Sequence, residues 1–185
     1  MYLQHNELTL RHAVAADAPQ LAAWWNDGAV MAHAGYPQGI GTTAETVAAQ
    51  LSGDADRVHR RLIIELDGRP IGEMNYRDVT SDPDWNTDPA CPTAIVGIKI
   101  CDFSCQEKGL GRRALSLLIA YLFGELGYVK IVLDTNLENK RAQHVYETLG
   151  FWRVRIHENA WTDQDGVPQS SVDYELRPAE FHSFL

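Results

Sequence analysis

The stretch Gln106-Glu107-Lys108-Gly109-Leu110-Gly111 decides how this chain is interpreted, because it joins an apolar strand pattern to the strongest helix pattern. Glycine carries no side chain, so a backbone turn at Gly109 and Gly111 can come close to a ligand. The helix that follows leaves its first N–H groups unsatisfied, beside the positive end of the helix dipole. A strand, a glycine-rich turn and a helix start together predict a phosphate site.

Cationic side chains cluster at the same turn. Lys108, Arg112 and Arg113 lie together in a protein of 185 residues whose formal net charge is −9. The turn lacks the Gly-x4-Gly-Lys-Ser/Thr pattern of a P-loop and the three-glycine fingerprint of dinucleotide-binding folds. A pyrophosphate would suit the turn, and a tight turn with a chance basic cluster is the alternative.

A second motif follows the helix. Leu133-Asp134-Thr135-Asn136-Leu137-Glu138-Asn139-Lys140-Arg141-Ala142 leads into Tyr146-Glu147-Thr148-Leu149-Gly150-Phe151. The two motifs together resemble the GNAT superfamily of acetyltransferases. That family has a Gln/Arg-x-x-Gly-x-Gly/Ala pyrophosphate loop and a strand–Asn–helix signature that often ends in Tyr-x-x-x-Gly-Phe. The resemblance covers about Thr93 to Phe151, and the whole-chain layout is similar to the branch with ribosomal-protein N-terminal and aminoglycoside N-acetyltransferases.

The resemblance implies one domain over residues 1–185, of the α/β (or α+β) class. We expect a mixed, strongly twisted central sheet of about six or seven strands, flanked by helices and splayed at its middle to admit the cofactor. The pattern along the chain agrees with strands before a strand–helix–strand–helix–strand order. The predicted strands are centred on Leu8 to His12, Leu62–Leu66, Ile71–Arg77, Ala94–Cys101, Ile131–Leu133, Phe151–Ile156 and Ser171–Leu176. The predicted helices follow Asp17, run from Thr42 or Thr43 to Leu51, and span Leu110–Gly124 and Asn139–Leu149, with loops at Gly28–Gly41 and Asp82–Pro92.

The resemblance also implies acetyl-CoA as co-substrate. No metal is expected, because Cys91, Cys101 and Cys105 have no second ligand pair nearby at zinc-site spacing. In the family a bulged strand pairs with the pantetheine arm; here it is Ala94–Cys101, with Ile100 and Cys101 as contact positions. Asn139 would touch the cofactor, with Ala142 near its thiol end. The pyrophosphate positions are Gln106, Glu107, Lys108, Gly109, Leu110 and Gly111, with Arg112 beside them.

The family usually transfers the acetyl group by direct attack of an amine within a ternary complex, which fits the absence of a Gly-x-Ser-x-Gly elbow. Tyr146 matches the tyrosine that protonates the CoA thiolate; a packed aromatic residue is the alternative. Glu73, on a central strand, and Asp102, just past the binding strand, are the candidate general bases. For each of these carboxylates the alternative is a solvated or salt-bridged surface group.

The acceptor is less defined by the sequence. Acidic residues in the acceptor half favour a small cationic amine, similar to a polyamine or an aminoglycoside. These residues are Asp27, Asp78, Asp82, Asp84 and Asp88. A peptide or protein N-terminus is the enzymatic alternative, and a catalytically silent acyl-CoA-binding sensor is the alternative from another class.

Other features exclude whole classes of partner. No broad basic stripe accompanies the local cluster, which disfavours nucleic acid. No apolar run is long enough for a bilayer and the first residues do not resemble a signal peptide, so we expect no membrane partner and a cytoplasmic location.

Cys91, Cys101 and Cys105 have irregular spacing and are expected to be reduced and mostly buried. The segment Phe181 to Leu185 packs back on the domain or meets a partner subunit, so a homodimer stays open.

Overall fold

A computed structural model describes residues 1–53, 59–86 and 88–185, and in this part of the chain one mixed sheet contains eight strands in the order β1-β2-β3-β4-β5-β6-β8-β7. The strands are β1 Tyr2–His5, β2 Leu8–His12, β3 His59–Leu66, β4 Arg69–Asp78, β5 Thr93–Ile100, β6 Lys130–Asn136, β7 Trp152–Thr162 and β8 Pro168–Leu176. The strand beyond the expected six or seven is β1. It pairs only with β2 and carries the polar residues Gln4 and His5, so the sequence shows no alternation of apolar residues that would predict a strand there.

Five helices flank the sheet within the described residues: α1 Ala18–Asn26, α2 Gly28–Met31, α3 Ala44–Gly53, α4 Leu110–Gly124 and α5 Lys140–Thr148. The loop predicted over Gly28–Gly41 is therefore partly wrong, since its first half forms α2 and a 3-10 turn at Ala32–Ala34. The side chain of Asp27 caps α2 by accepting a hydrogen bond from Ala29 N at 2.8 Å.

Two helix starts and one helix end differ in detail from what the sequence pattern favours, namely caps at Asp17 and Thr42 and a buried Leu126 on the apolar face of α4. Asp17 precedes α1, but its carboxylate accepts from Val14 N and Arg11 rather than from the helix. Thr43, not Thr42, caps α3 by accepting from Thr46 N at 3.2 Å. Leu126 lies beyond the end of α4 and is exposed, because the helix stops at Gly124.

The two faces of the sheet carry different layers. Helices α4 and α5 pack on one face over a core that includes Leu115, Leu133 and Tyr174. Helices α1 and α3 cover the other face around Leu21 and Ile63. Side chains alternate between faces along a strand, so neighbouring residues of β4, β5 and β6 point to different layers.

The sheet opens between its two central strands. Strands β5 and β6 are parallel and pair only through Thr93, Ala94 and Ile95 with Lys130, Ile131 and Val132. Beyond Ile95 and Val132 the two strands carry no ladder to each other, although both continue for several residues. The resulting gap, called the splay below, is open to both layers.

Candidate active site

The phosphate loop, residues 106–111, has the backbone that an anion site requires. Gly109 is the N-cap of α4 and has a φ of 75°, in the left-handed region that favours glycine. No N–H group from Glu107 to Arg112 donates a hydrogen bond to any described residue. The side chain of Gln106 braces the loop by donating to the Ile100 carbonyl at 2.8 Å. Free N–H groups at the start of a fifteen-residue helix form a suitable phosphate cradle.

The cations around this loop are not equivalent. Arg113 is occupied by Glu7, with Nη1 and Oε1 2.7 Å apart. Lys108 is exposed, and no described carboxylate lies within 4 Å of it or of Arg112. Glu107 has a φ of 59° and a largely exposed side chain. Of the basic residues singled out from the sequence, Lys108 and Arg112 are therefore the ones available to an anion.

The strand predicted to meet the pantetheine arm, β5, has a regular pairing with β4 along its length. The irregular hydrogen bonding comes directly after its last residue. The β4–β5 register is continuous from Ala94 to Ile100. The N–H groups of Cys101 and Asp102 then both donate to the Ile71 carbonyl, at 2.9 and 3.0 Å. Cys101 is buried on the α1 face, and burial raises the pKa of its thiol to about 12, so it remains a thiol at neutral pH.

Asn139 and Ala142 hold the start of α5 beside the splay. Asn139 is the N-cap, and its Oδ1 accepts from Ala142 N at 3.2 Å. Gln143 is buried and donates through Nε2 to the Leu137 carbonyl at 2.7 Å. Asn139 is thus committed to the helix cap through Oδ1, while its side-chain Nδ2 donates to none of the described residues.

Tyr146 lies on α5 with its ring packed edge-on against Phe151 and Tyr174, at centroid distances of 6.0 and 5.7 Å. The residue is 6% exposed, and its hydroxyl donates to no described residue. Burial, with the Asp134 charge, raises the pKa of the phenol well above its usual value, so it is protonated at neutral pH. A protonated hydroxyl without a protein partner has the properties of a general acid.

Glu73 is engaged in a buried ion-pair cluster. Its oxygens accept from Trp25 Nε1 at 2.8 Å and Arg61 Nη1 at 2.5 Å, and Lys99 Nζ lies 3.4 Å away. Burial alone would raise the pKa of Glu73, but the charges of Lys99 and Arg61 and the Trp25 bond outweigh burial and lower it. A carboxylate bound on this many sides is a weak proton acceptor, which counts against the proposed role of Glu73 as base.

Asp102 is similarly occupied. Its Oδ1 accepts from Ser104 N at 2.9 Å and Ser104 Oγ at 2.6 Å, capping the 3-10 turn Phe103–Cys105. Its Oδ2 pairs with Arg69. The Ser104 and Arg69 hydrogen bonds lower the pKa of Asp102 to about 2, so the base role predicted for it also has little support from the geometry.

An acidic cavity of about 550 Å³ lies on the sheet face opposite α4 and α5. Asp134 of β6 and Asp173 of β8 are cross-strand partners in it. His157 Nε2 lies 2.7 Å from Asp173 Oδ2, and Arg155 Nη2 lies 3.2 Å from the same oxygen. The remaining lining residues are Asp84, Trp85, Ala160 and Ser171.

Asp134 sits where this cavity meets the splay, two residues beyond Val132, the last β6 residue that pairs with β5. Surrounding protein atoms and the neighbouring Asp173 charge raise the pKa of Asp134. Unlike Glu73 and Asp102, its carboxylate makes no ion pair with a described cation. Asp134 is therefore the carboxylate at the splay whose proton affinity is increased.

Asn75 lies on the other side of the splay. It pairs with Gly97, two residues beyond the last β5 residue in the parallel ladder. A Cβ on Gly97 would lie 2.9 Å from Asn75 Nδ2, so the glycine leaves room for this carboxamide on the sheet surface. The Asn75 side chain is half-buried and has no hydrogen-bond partner among the described residues.

The rim near the cavity is built from the β7–β8 hairpin and the segment Gly35–Gly39. Gln164 N donates to the Gly35 carbonyl at 2.9 Å, and Gln164 Nε2 donates to the Gly39 carbonyl at 3.0 Å. Gln38 N in turn donates to Gln164 Oε1 at 2.9 Å. Trp161 packs so closely against Gly35 that a Cβ there would lie 2.3 Å from the indole.

Sequence reasoning assigned no role to Asp134, Asp173, His157 or Asn75. The sequence held two signals for these residues. Asp134 stands inside the quoted signature, and the alternation of side chains along a strand puts Asn75 on the same face as Glu73. The pairing of His157 with Asp173 crosses a ladder with register shifts, which no local pattern encodes.

Comparisons with known proteins identify the family and the fold. The family model described as an acetyltransferase (GNAT) domain matches residues 7–152. The chain therefore belongs to the GNAT family and is an N-acetyltransferase.

Two curated relatives have narrower descriptions. An aminoglycoside N(6′)-acetyltransferase type 1 of Klebsiella pneumoniae is 30% identical over 156 residues, covering 80% of this chain and 76% of the relative. A spermidine N(1)-acetyltransferase of Escherichia coli (strain K12) is 30% identical over 96 residues, covering 52% of this chain and 47% of the relative.

Solved structures share the fold. A spermidine N-acetyltransferase from Vibrio cholerae in complex with CoA and spermine superposes with a TM-score of 0.80, at 20% identity over 95% of this chain and 98% of that one. The ribosomal L7/L12 alpha-N-protein acetyltransferase RimL, in complex with CoA, gives a TM-score of 0.80 at 16% identity over 96% and 98%. At these identities the superpositions concern the fold alone.

Neither a membrane-spanning helix nor a metal-binding cluster occurs among the described residues. None of the helices in residues 1–53, 59–86 and 88–185 is long and apolar enough to cross a membrane. Over the same ranges, no group of three or more His, Cys, Asp or Glu side chains is arranged to hold a metal ion.

Proposed function

We propose that this protein transfers the acetyl group of acetyl-CoA to a primary amine of a small cationic molecule, similar to a polyamine or an aminoglycoside. The observation that supports this acceptor class is the acidic cavity at the splay, with Asp134, Asp173 and Asp84 in its lining. Asp134 and Asp84 are exposed in this cavity, so an arriving ammonium group can reach both carboxylates directly and is attracted to them from solution. The relatives named for aminoglycosides and spermidine are consistent with the same chemistry.

Acetyl-CoA fits the opposite side of the splay. The free N–H groups from Glu107 to Arg112 would hold its pyrophosphate, and the open edges of β5 and β6 would receive its pantetheine arm. Ile100, Asn139 and Ala142 would line that arm. Acetyl-CoA supplies the activated thioester carbonyl, and this chain supplies the groups around it.

The reaction proceeds by direct attack in a ternary complex. Asp134 binds the acceptor ammonium and takes up a proton, and its raised pKa suits this role better than the lowered pKa of Glu73 or of Asp102. The carboxamide of Asn75 orients the neutral amine from the other side of the splay. The amine nitrogen forms a bond to the acetyl carbon as the carbon–sulfur bond breaks, and Tyr146 gives its proton to the departing thiolate. The second proton, which the nitrogen loses as it becomes an amide, passes through solvent and restores the Tyr146 phenol.

The test is release of CoA thiol by wild type and Tyr146→Phe with spermidine, kanamycin and a short peptide with a free N-terminus. We expect turnover with at least one of the two polycations, lost in Tyr146→Phe while CoA affinity is retained. Turnover with the peptide alone would favour an N-terminal acetyltransferase. CoA binding without turnover on all three would favour an acyl-CoA sensor.

A further inference from the structure

The segment that follows β8 crosses the α4–α5 face of the sheet and ends beside the phosphate loop. Its first contact is at the end of α5, where His182 N donates to the Leu149 carbonyl at 2.9 Å. Its second is at α4, where Phe184 N donates to the buried Ser116 Oγ at 3.0 Å. Two backbone hydrogen bonds thus fix the path of the segment across both cofactor-side helices.

The aromatic ring of Phe184 lies under the guanidinium of Arg112. The Arg112 Cζ is 4.6 Å from the ring centroid, within the range of a cation–π interaction. The same guanidinium lies against the N-cap of α4, because a Cβ on Gly109 would be 3.3 Å from Arg112 Nε. Arg112 is therefore held between the ring and the free N–H groups of the phosphate loop.

The neighbouring arginine shows that this arrangement is particular to Arg112. Arg113 is neutralised by Glu7 at 2.7 Å, whereas no carboxylate of the described residues lies within 4 Å of Arg112. An aromatic face positions a guanidinium without neutralising it, and so leaves its N–H donors for an incoming anion. Long arginine side chains otherwise lose rotamer freedom when they bind, and holding one in place beforehand reduces that cost.

We propose that Phe184 is a positioning residue for the cofactor: its ring holds Arg112 over the phosphate loop, where the guanidinium binds a phosphate of CoA. This proposal rests on the proposed function only in that CoA is the ligand of the loop. It is independent of the acceptor and of the catalytic roles of Tyr146 and Asp134.

The experiment is calorimetric titration of CoA into wild type and single variants of Phe184. Phe184→Leu keeps the apolar contact but removes the ring face, and should weaken CoA binding about two- to five-fold, the size of an exposed cation–π contact. Phe184→Tyr keeps the ring and should bind CoA as wild type does. The matched control is Phe181→Leu, because Phe181 belongs to the same segment but packs edge-on against Phe123, at 6.2 Å.

A double variant separates positioning from simple packing. In an Arg112→Ala background, Phe184→Leu should change the affinity for CoA no further, since the ring acts through the guanidinium. In steady-state assays with the acceptor found in the amine panel, Phe184→Leu should raise KM for acetyl-CoA and leave kcat unchanged. An equal loss in Phe181→Leu, or a further loss in the Arg112→Ala background, would overturn the proposal.

Dephospho-CoA, which lacks the 3′-phosphate, identifies the phosphate concerned. If Phe184→Leu weakens dephospho-CoA as much as CoA, Arg112 meets the pyrophosphate; if only CoA is affected, Arg112 meets the 3′-phosphate. Both results support the positioning role. Wild-type affinity in Phe184→Leu for both ligands overturns it, whereas no CoA binding by wild type overturns the proposed function as well.

Discussion

The two faces of the sheet at the splay differ in the charge that they present. On the α4–α5 face lie backbone N–H groups from Glu107 to Arg112, which carry partial positive charge and donate to none of the described residues. On the α1–α3 face lie the carboxylates of Asp134 and Asp173, in a cavity of about 550 Å³. In the function proposed above, the gap between β5 and β6 would therefore separate an anionic cofactor from a cationic acceptor.

The ionisable groups near the splay are of two kinds, and each kind occurs irrespective of the face. Tyr146 and Asp134 have raised pKa values; among the described residues, none accepts a hydrogen bond from the Tyr146 hydroxyl and no cation pairs with Asp134. Glu73 and Asp102 have lowered pKa values and several partners each. Groups of the first kind are available for proton transfer, and groups of the second kind hold the structure around them.

The largest effect is expected for Tyr146→Phe, which removes only the hydroxyl and keeps the ring contacts to Phe151 and Tyr174. We expect kcat to fall by about 100- to 10,000-fold, the usual contribution of a general acid. Stopped-flow thiol release measures this loss, and calorimetry with CoA is the control. If kcat stays within roughly three-fold of the wild-type value, Tyr146 does not act as the general acid.

Glu73→Gln tests whether the buried cluster is structural rather than catalytic. Leaving Lys99 and Arg61 without their common carboxylate should lower the free energy of unfolding by about 3 kcal/mol, measured in urea, while kcat of the folded variant stays near that of wild type. The folded-state pKa of Glu73 is lowered, so its contribution to stability is present above the usual glutamate pKa of 4.5 and is lost as the pH falls through the folded-state value. A large loss of kcat with unchanged stability would return Glu73 to the role of base.

Asp134→Asn addresses the acidic cavity. The charge is lost while the size of the side chain is kept, so kcat/KM for a polycation should fall by roughly ten-fold or more. In wild type, activity should fall as the pH drops through the raised pKa of Asp134, because the protonated carboxyl neither attracts an ammonium nor accepts its proton. The variant should lack this acid limb in its profile of kcat/KM against pH, and an unchanged limb would contradict the assignment.

The smallest effect is expected for Arg113→Ala. Because Arg113 is already paired with Glu7, its loss should change the dissociation constant of CoA by less than about two-fold, while Arg112→Ala weakens binding several-fold. Titration of both variants at one salt concentration makes the comparison. Equal losses would mean that the pairing with Glu7 opens when the cofactor binds.

The loop and helix proposed to hold the cofactor could be predicted closely from the sequence, whereas the cavity proposed to hold the acceptor could not. The phosphate loop and α4, predicted over Leu110–Gly124 and found there, are contiguous in the chain, so glycine spacing and helical periodicity describe them locally. The acidic cavity joins Asp84, Asp134, His157 and Asp173, which come from one loop and three strands. Their meeting depends on where β5 and β6 separate and on the irregular β7–β8 register, and neither has a local signal.

Glu73 shows the same limit at a single residue. Strand parity gave its face of the sheet correctly, since Glu73 and Asn75 share the α1–α3 side. Its partners Trp25, Arg61 and Lys99 belong to α1, β3 and β5, and only the packed structure reveals that they occupy both carboxylate oxygens. Whether a buried carboxylate acts as a general base or as an ion-pair partner can be decided only when those contacts are known.

The central claim is that acetyl-CoA and the amine occupy opposite faces at the same time and react through the splay. Initial velocities, measured over acetyl-CoA concentration at several fixed concentrations of the accepted amine, test it most directly. We expect double-reciprocal lines that intersect, as a ternary complex requires. Parallel lines would indicate an acetylated enzyme intermediate and would contradict direct transfer between the two ligands.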